Sequence, residues 1–181
     1  MKGMIFNEFL NYIEQALSYD MVDKIILQAH LKSDGAYTSI GTYDSAEFFA
    51  LVSTLGEMTG QPKNKILIDY GEHLFAMLVN KYPQFVTEKE SVFQFLPMVE
   101  QHIHMEVKKL YTDAELPTFQ CTQLSSSEFV MIYTSLKPLA DLAEGLIRGC
   151  IRFYHENIML TRKDVALKRG FRSKFLLKKA A

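Results

Sequence analysis

The feature that most constrains the fold is a change of hydrophobic periodicity about two thirds of the way along the chain. Up to residue 111, apolar residues recur at spacings of three and four, which predicts amphipathic helices at 7–18, 20–31, 44–60, 64–80 and 91–111. Asp44, with Glu47 three residues later, predicts a helix start. The second half of the pattern predicts strands at 118–124 and 128–137, a helix opened by Pro138, and two further strands after Ile158 with a turn near Arg169 and Gly170.

Helices first, then strands around one long helix, indicate an α+β fold. We expect an N-terminal helical subdomain followed by a C-terminal antiparallel sheet with a long helix. A length of 181 residues fits one domain that spans residues 1–181.

Composition and charge exclude several function classes. The formal net charge of −1 argues against a chain built to bind nucleic acid. No apolar run approaches the roughly 18 residues of a membrane span, and Asn7, Glu8 and Glu14 interrupt the apolar stretch that a signal peptide needs. Cys121 and Cys150 are too few and too far apart for a disulfide framework or a zinc cluster. We therefore expect a cytoplasmic protein without a membrane or nucleic-acid partner.

Signatures of enzymes are scarce in this sequence. It contains no phosphate loop, no GxSxG elbow and no HExxH pair, so hydrolase and nucleotide-enzyme functions have no support. An isolated histidine on a helix is more often a half-buried polar residue than a metal ligand. His102 and His104 lie about 100° on either side of Ile103, and periodicity does not choose between them. The five histidines are His30, His73, His102, His104 and His155.

The segment from 133 to 137 places three hydrogen-bond donors at alternate positions. On a strand, Tyr133, Ser135 and Lys137 project from one face and offer a phenol, a hydroxyl and an ammonium. This set suits an anionic ligand with several acceptor oxygens, such as a pair of carboxylates. The alternative is an ordinary solvated strand face, which is the commoner situation.

Several stretches resemble the H-NOX family (heme-nitric oxide/oxygen binding), which includes the heme domain of soluble guanylate cyclase. The opening MKGMIF is similar to the family's MKG start, and YTSLK at 133–137 resembles its YxSxR signature. HMEVKKLYTDAELPTF, with His104 seven residues before Tyr111 and thirteen before Pro117, resembles the proximal helix and the loop after it. PLADLAEGLIRGCIRFYHENI fits the helix that follows the signature. The matches run from residue 1 to about 158 in the family's order and spacing.

The resemblance implies a heme b cofactor and a role for each matching residue. His104 would be the axial ligand to the ferrous iron. Three further residues would bind the heme propionates, namely Tyr133, Ser135 and Lys137, and three would pack against the macrocycle, namely Ile5, Pro117 and Leu146. Lys137 departs from the family's arginine, and lysine lacks the planar fork that grips a carboxylate bidentately. Asp44 lies near an acid that the family places beside that arginine, so we expect it to pair with Lys137.

The resemblance also indicates which gas is bound. Oxygen-binding members carry a distal tyrosine nine residues beyond the signature tyrosine, where this chain has Leu142. The other distal candidates, Phe9 and Ile66, are also apolar. We therefore expect nitric oxide and carbon monoxide to bind and oxygen to be rejected, unless Tyr12 or Tyr70 turns inward as a donor.

A stand-alone gas sensor, rather than an enzyme, is the function that these residues indicate. NO weakens the bond trans to it, so its binding should loosen the iron–His104 bond and convert a local change into a movement between subdomains. We expect no output module in this chain, and stand-alone members of the family resemble regulators of a histidine kinase or a cyclic-di-GMP enzyme. Two alternatives remain: a heme enzyme that handles peroxide, and a heme-free ligand-binding or scaffold domain of the same fold. A heme enzyme that handles peroxide needs an acid–base pair of side chains on the distal side of the heme, and the distal segments of this sequence show no such pair.

Overall fold

Helices occupy the chain up to residue 110, and four strands with one long helix occupy most of the remainder. The computed structural model describes residues 1–86 and 89–180. The helices are α1 (Gly3–Ala16), α2 (Tyr19–Gln28), α3 (Ser45–Thr59), α4 (Lys63–Lys81), α5 (Val92–Met98), α6 (His104–Leu110) and α7 (Ala140–Phe153). The strands are β1 (Thr118–Gln123), β2 (Glu128–Ser135), β3 (Ile158–Val165) and β4 (Phe171–Lys179). The α+β prediction is confirmed. Among the described residues, no helix has the length and apolar character required to cross a membrane.

The chain forms two compact units, of which the first is Met1–Tyr70. Local signals set the ends of its helices: the Ser18 hydroxyl accepts from the backbone N–H of Met21 to cap α2, and Asp44 accepts from that of Ala46 at 2.9 Å to cap α3. The predicted helix start at Asp44 is therefore confirmed. The apolar helix faces form an aromatic core whose fully buried rings are Phe6, Phe9, Phe48 and Tyr70.

The second unit, from Gly71 onward, is built on a four-stranded sheet in the order β1-β2-β4-β3, with every neighbouring pair antiparallel. The turn predicted between the last two strands lies at Gly170, where a φ of 81° favours glycine. The centre of the core combines residues of β2, α7 and β4, namely Phe129, Met131, Tyr133, Ala143, Ile147, Cys150, Phe175 and Leu177.

In the second unit, α7 packs very closely against the C-terminal part of α4. A Cβ atom added at Gly71 would lie 2.5 Å from the carbonyl oxygen of Leu142 and 2.8 Å from the Cα of Gly145. Side chains do not fit at such distances, so the missing Cβ of Gly71 is what allows the two backbones to approach.

Several elements differ from their predictions. Helix α1 begins at Gly3 rather than at 7, and α2 ends at Gln28 rather than at 31. The single helix expected at 91–111 contains Pro97, which has no N–H to donate, and then widens into a π-helical turn at Val99–Ile103. The strand β2 ends at Ser135 rather than at 137, where the Ser135 hydroxyl accepts the backbone N–H of Lys137 at 3.0 Å and the chain turns. The helix α7 begins at Ala140, two residues after Pro138.

Candidate functional site

His104 is the first residue of α6 and directly follows the π-helical turn. Its side chain is 14% exposed, whereas His102 lies on the exposed surface. Nδ1 of His104 lies 3.1 Å from Oε2 of Glu100, four residues earlier in the chain. Because a carboxylate only accepts, Nδ1 carries the hydrogen, and the lone pair of the neutral ring is on Nε2. The structure thus separates two histidines that periodicity left equivalent.

The surroundings of His104 come from the segment that leads into β1. The ring of Phe119 packs against the imidazole with centroids 5.4 Å apart, and the backbone N–H of Phe119 donates to Oε2 of Glu100 at 3.2 Å. Burial lowers the pKa of His104, and Glu100 and the Pro117 backbone oppose that shift only in part. Neutral imidazole is therefore favoured, and this is the form that binds a metal.

The three predicted donors at 133–137 lie at the end of β2 and just beyond it. Tyr133 is 2% exposed and points to the inner face of the sheet, where its ring lies 5.8 Å from that of Phe119. Burial raises the pKa of Tyr133, so the phenol keeps its proton, and its hydroxyl donates to the carbonyl of Lys137 at 3.3 Å. Lys137 lies past the strand end, so the expectation that all three share one strand face is wrong for Lys137. Because the chain turns after Ser135, Lys137 no longer follows the alternation of side chains along β2.

The ammonium of Lys137 pairs with the carboxylate of Glu115. The Lys137 side chain is 16% exposed and that of Glu115 is 70% exposed, so a shielded cation meets a solvated acid. Asp44, the partner expected for Lys137, lies in the first unit, where its carboxylate accepts from the backbone N–H of Ala46, and the expected pair stays a prediction. An exposed ion pair contributes little energy, so Glu115 is an exchangeable partner of Lys137.

The remaining predicted residues divide between the two units. Pro117, Leu142 and Leu146 belong to the second, where Leu142 is buried and the other two are half-buried. Ile5, Phe9 and Ile66 belong to the first, where Phe9 and Ile66 are buried in the core and Ile5 is half-buried.

Tyr70 was one of the tyrosines left open as a possible donor to a gas. Its hydroxyl donates to the backbone carbonyl of Ile5 at 2.7 Å. Complete burial raises its pKa well above the ordinary value, so the phenol stays protonated. The single hydroxyl hydrogen of Tyr70 is therefore already used within the first unit.

The sequence analysis missed Glu100, Glu115 and Phe119. The spacing of four residues between Glu100 and His104 could have indicated their contact, because residues at this spacing are neighbours on a helix. Phe119 became recognisable only through the strand register, which pairs it with Tyr133.

The second unit therefore brings together an oriented imidazole and, near the end of β2, a phenol, a hydroxyl and an ammonium that could donate to an anionic group. In the part of the chain that the structure describes, no group of three or more histidine, cysteine, aspartate or glutamate side chains is arranged to hold a metal ion.

Comparison with known proteins gives a consistent result. The family model described as Haem-NO-binding matches residues 2–162. The fold is similar to that of the unliganded Fe(II) H-NOX protein of K. algicida, with a TM-score of 0.91, 35% identity, and coverage of 100% of this chain and 97% of that one. No curated protein matches the chain significantly.

Two more distant structures share the fold. The S. oneidensis H-NOX protein in its Fe(II)NO state has a TM-score of 0.89 at 22% identity, with all of both chains covered. A mutant H-NOX of T. tengcongensis has a TM-score of 0.90 at 21% identity, covering 100% of this chain and 98% of that chain.

Proposed function

The chain belongs to the haem-NO-binding (H-NOX) family, whose members are heme-based gas sensors, and from this premise we propose that it senses nitric oxide through a heme b bound by His104. The observation that carries the proposal is the ring of Phe119, which lies against both His104 and Tyr133. His104, the candidate iron ligand, and Tyr133, a candidate hydrogen-bond donor to a heme propionate, therefore contact the same side chain. Both lie at positions that match the family's motifs. The proposed role is that of a sensor and not of an enzyme.

His104 would bind the iron through Nε2, because Glu100 engages Nδ1. A metal usually binds Nε2 of a histidine when a hydrogen-bond acceptor holds the N–H of the other ring nitrogen. Burial favours the neutral imidazole, so no proton has to be displaced before the metal is bound. The exposed His102 lacks this orientation.

Tyr133, Ser135 and Lys137 would hold the propionates. A buried phenol and a hydroxyl donate to carboxylate oxygens, and the Lys137 ammonium adds charge. Glu115 is largely exposed and can release Lys137 at small cost, which compensates in part for the absence of the family's arginine fork. Pro117, Leu146 and Ile5 would contribute apolar contacts to the macrocycle.

The choice of gas rests on apolar residues at the distal positions. Leu142, Phe9 and Ile66 are buried and provide no hydrogen-bond donor, and the Tyr70 hydroxyl is committed to Ile5. Bound oxygen is stabilised by a donated hydrogen bond, whereas nitric oxide and carbon monoxide do not need one. The protein would therefore bind NO and CO and form no stable oxygen complex.

The signal would pass to a separate protein in the cytoplasm. His104 would hold the heme from the first residue of α6, so a change in that bond on NO binding would act on the α6 segment. A ligand-dependent change of this kind needs a few kcal/mol of differential affinity to switch a partner. By analogy with stand-alone family members, the partner would be a histidine kinase or a cyclic-di-GMP enzyme.

The test is the absorption spectrum of the purified ferrous protein. We expect a five-coordinate heme spectrum that changes with NO and CO but not in air. His104→Gly should abolish it, and added imidazole should restore it, while His102→Gly serves as the control and leaves it unchanged. A stable spectrum of an oxygen complex, or loss of the heme with His102→Gly alone, would contradict the proposal.

A further inference from the structure

The carboxylate of Glu100 lies at a junction between the helical segment and the sheet. A single oxygen, Oε2, is 3.1 Å from Nδ1 of His104 and 3.2 Å from the backbone nitrogen of Phe119. The Glu100 side chain is 33% exposed, so it retains contact with solvent on its other side. Neither donor is a neighbour of Glu100 in sequence, since one is four and the other nineteen residues away.

We infer that Glu100 is a positioning residue that fixes the orientation of His104, strengthens its bond to a metal, and mechanically links it to β1. This inference rests on the proposed function, because the bond in question is the one between His104 and heme iron. Nothing in the family motifs carried this role, since none of the matched stretches includes Glu100.

The electronic effect follows from the type of acceptor. An anionic acceptor on Nδ1–H draws the hydrogen away from the ring, which increases electron density on Nε2 and makes His104 a stronger ligand. A neutral amide in the same place accepts the hydrogen bond but polarises the ring less. Glu100 therefore opposes the weakening that NO causes, and it sets how readily the His104 bond yields.

The mechanical effect follows from the shared oxygen. Phe119 lies at the start of β1, where it pairs in register with Tyr133 of β2 and contacts the His104 ring. A displacement of His104 changes the Nδ1–Oε2 distance, and Oε2 also holds the Phe119 amide. The loss or gain of the His104 bond is therefore transmitted directly to the strand pair that carries Tyr133.

Three variants distinguish this positioning role of Glu100 from a purely structural one. Glu100→Gln keeps the shape of the side chain and one acceptor, and Glu100→Ala removes both hydrogen bonds. Glu106→Gln is the matched control, because Glu106 lies on α6, is exposed and pairs only with Lys109 among the interactions of the described residues. All three are measured as ferrous heme-loaded proteins.

Resonance Raman spectroscopy of the iron–histidine stretch gives the first measurement. We expect the frequency to fall in the order unmodified, Glu100→Gln, Glu100→Ala, with Glu106→Gln unchanged. The five-coordinate share of the NO complex should increase in the same order, and Glu100→Ala should lose heme to a scavenger ~10–100-fold faster. The Phe119 amide should exchange faster with deuterium in Glu100→Ala alone.

The second measurement is a chemical rescue, in which an added imidazole replaces the missing side chain of His104→Gly. It tests the inference independently of the Glu100 single variants. In His104→Gly, imidazole can donate an N–H to Glu100, whereas 1-methylimidazole cannot. Imidazole should therefore give the higher iron–ligand frequency and bind more tightly. In the double variant His104→Gly with Glu100→Ala, the preference for imidazole should disappear, which isolates the coupling between the two groups.

The outcomes separate this inference from the proposed function. A protein that binds no heme overturns both. A heme protein whose iron–histidine frequency is equal in the unmodified, Glu100→Gln and Glu100→Ala forms leaves the proposed function intact and overturns the inference. An imidazole preference that persists without Glu100 also overturns it.

Discussion

The close packing of α4 on α7 predicts that Gly71→Ala destabilises the protein, although alanine normally stabilises a helix. The new Cβ would lie 2.5 Å from the Leu142 carbonyl oxygen and 2.8 Å from the Gly145 Cα, and both are backbone atoms that no side-chain rotation can move. Ordinary contact begins at 3.4 Å, so α7 must retreat by roughly 0.9 Å, a strain of the kind that costs about 1–3 kcal/mol in a packed core.

The gain from helix propensity offsets part of this cost. Replacing glycine with alanine in a helix is worth about 1 kcal/mol, which leaves a net loss of up to about 2 kcal/mol for Gly71→Ala. For a chain of 181 residues this corresponds to a Tm lower by up to about 8 °C. The retreat of α7 would also displace Leu142 and Leu146, two residues proposed to contact the gas or the heme.

Urea and thermal unfolding of the heme-free protein provide the assay. Ala76→Gly is the matched control, because Ala76 is exposed on the same helix and reports the propensity difference without the packing clash. We expect both variants to be less stable than the unmodified protein. If Gly71→Ala were about 1 kcal/mol more stable than the unmodified protein, as helix propensity alone predicts, while Ala76→Gly lost about 1 kcal/mol, the close approach of the two helices would be refuted.

Two further predictions concern charge and protonation. Lys137→Met should release heme to a scavenger at least ~10-fold faster, because a charge-assisted hydrogen bond is worth about 1.5–3 kcal/mol. Lys137→Arg keeps the charge and should retain heme. Equal release rates for the methionine variant and the unmodified protein would exclude Lys137 from the propionate site. Burial raises the pKa of Cys121 to about 11, so its reaction with iodoacetamide at pH 8 should be about 100-fold slower in the folded protein than in urea. Because the folded pKa lies above the unfolded value, this thiol contributes stability that is complete below pH 9 and is lost as the pH rises towards 11. The unfolding free energy of Cys121→Ala should therefore decline less steeply over that range.

Much of the fold followed from local patterns. Apolar spacing located the helices and strands, and short polar signals placed the Asp44 cap and the Gly170 turn, because each of these depends on neighbours within a few residues. Boundaries failed where a local hydrogen bond intervened, as at Ser135, whose hydroxyl ends β2 two residues early.

The candidate site was predicted less completely, for a different reason. Counting residues along 91–111 assumed one uniform helix, but the π-helical turn at Val99–Ile103 changes the rotation between the residues before and after it. Periodicity gave no choice between His102 and His104 because both flank Ile103 at about 100° in a uniform helix, and only the structure shows that His102 is exposed and His104 largely buried. The pairing of Lys137 with Glu115 was also not predicted, because ion pairs between distant segments depend on geometry that spacing does not contain.

By itself, the sequence determined the α+β class, the order of the elements and the resemblance that led to the family, because these depend on local periodicity and on motifs contiguous in the chain. Only the tertiary structure decided which histidine is buried and oriented, that Glu100 joins it to Phe119, and that Glu115 meets Lys137. These contacts depend on the helical turn before His104 and on the strand register that places Phe119 opposite Tyr133. Both are set by backbone pairing over the whole unit, and a one-residue slip in either would bring different side chains together.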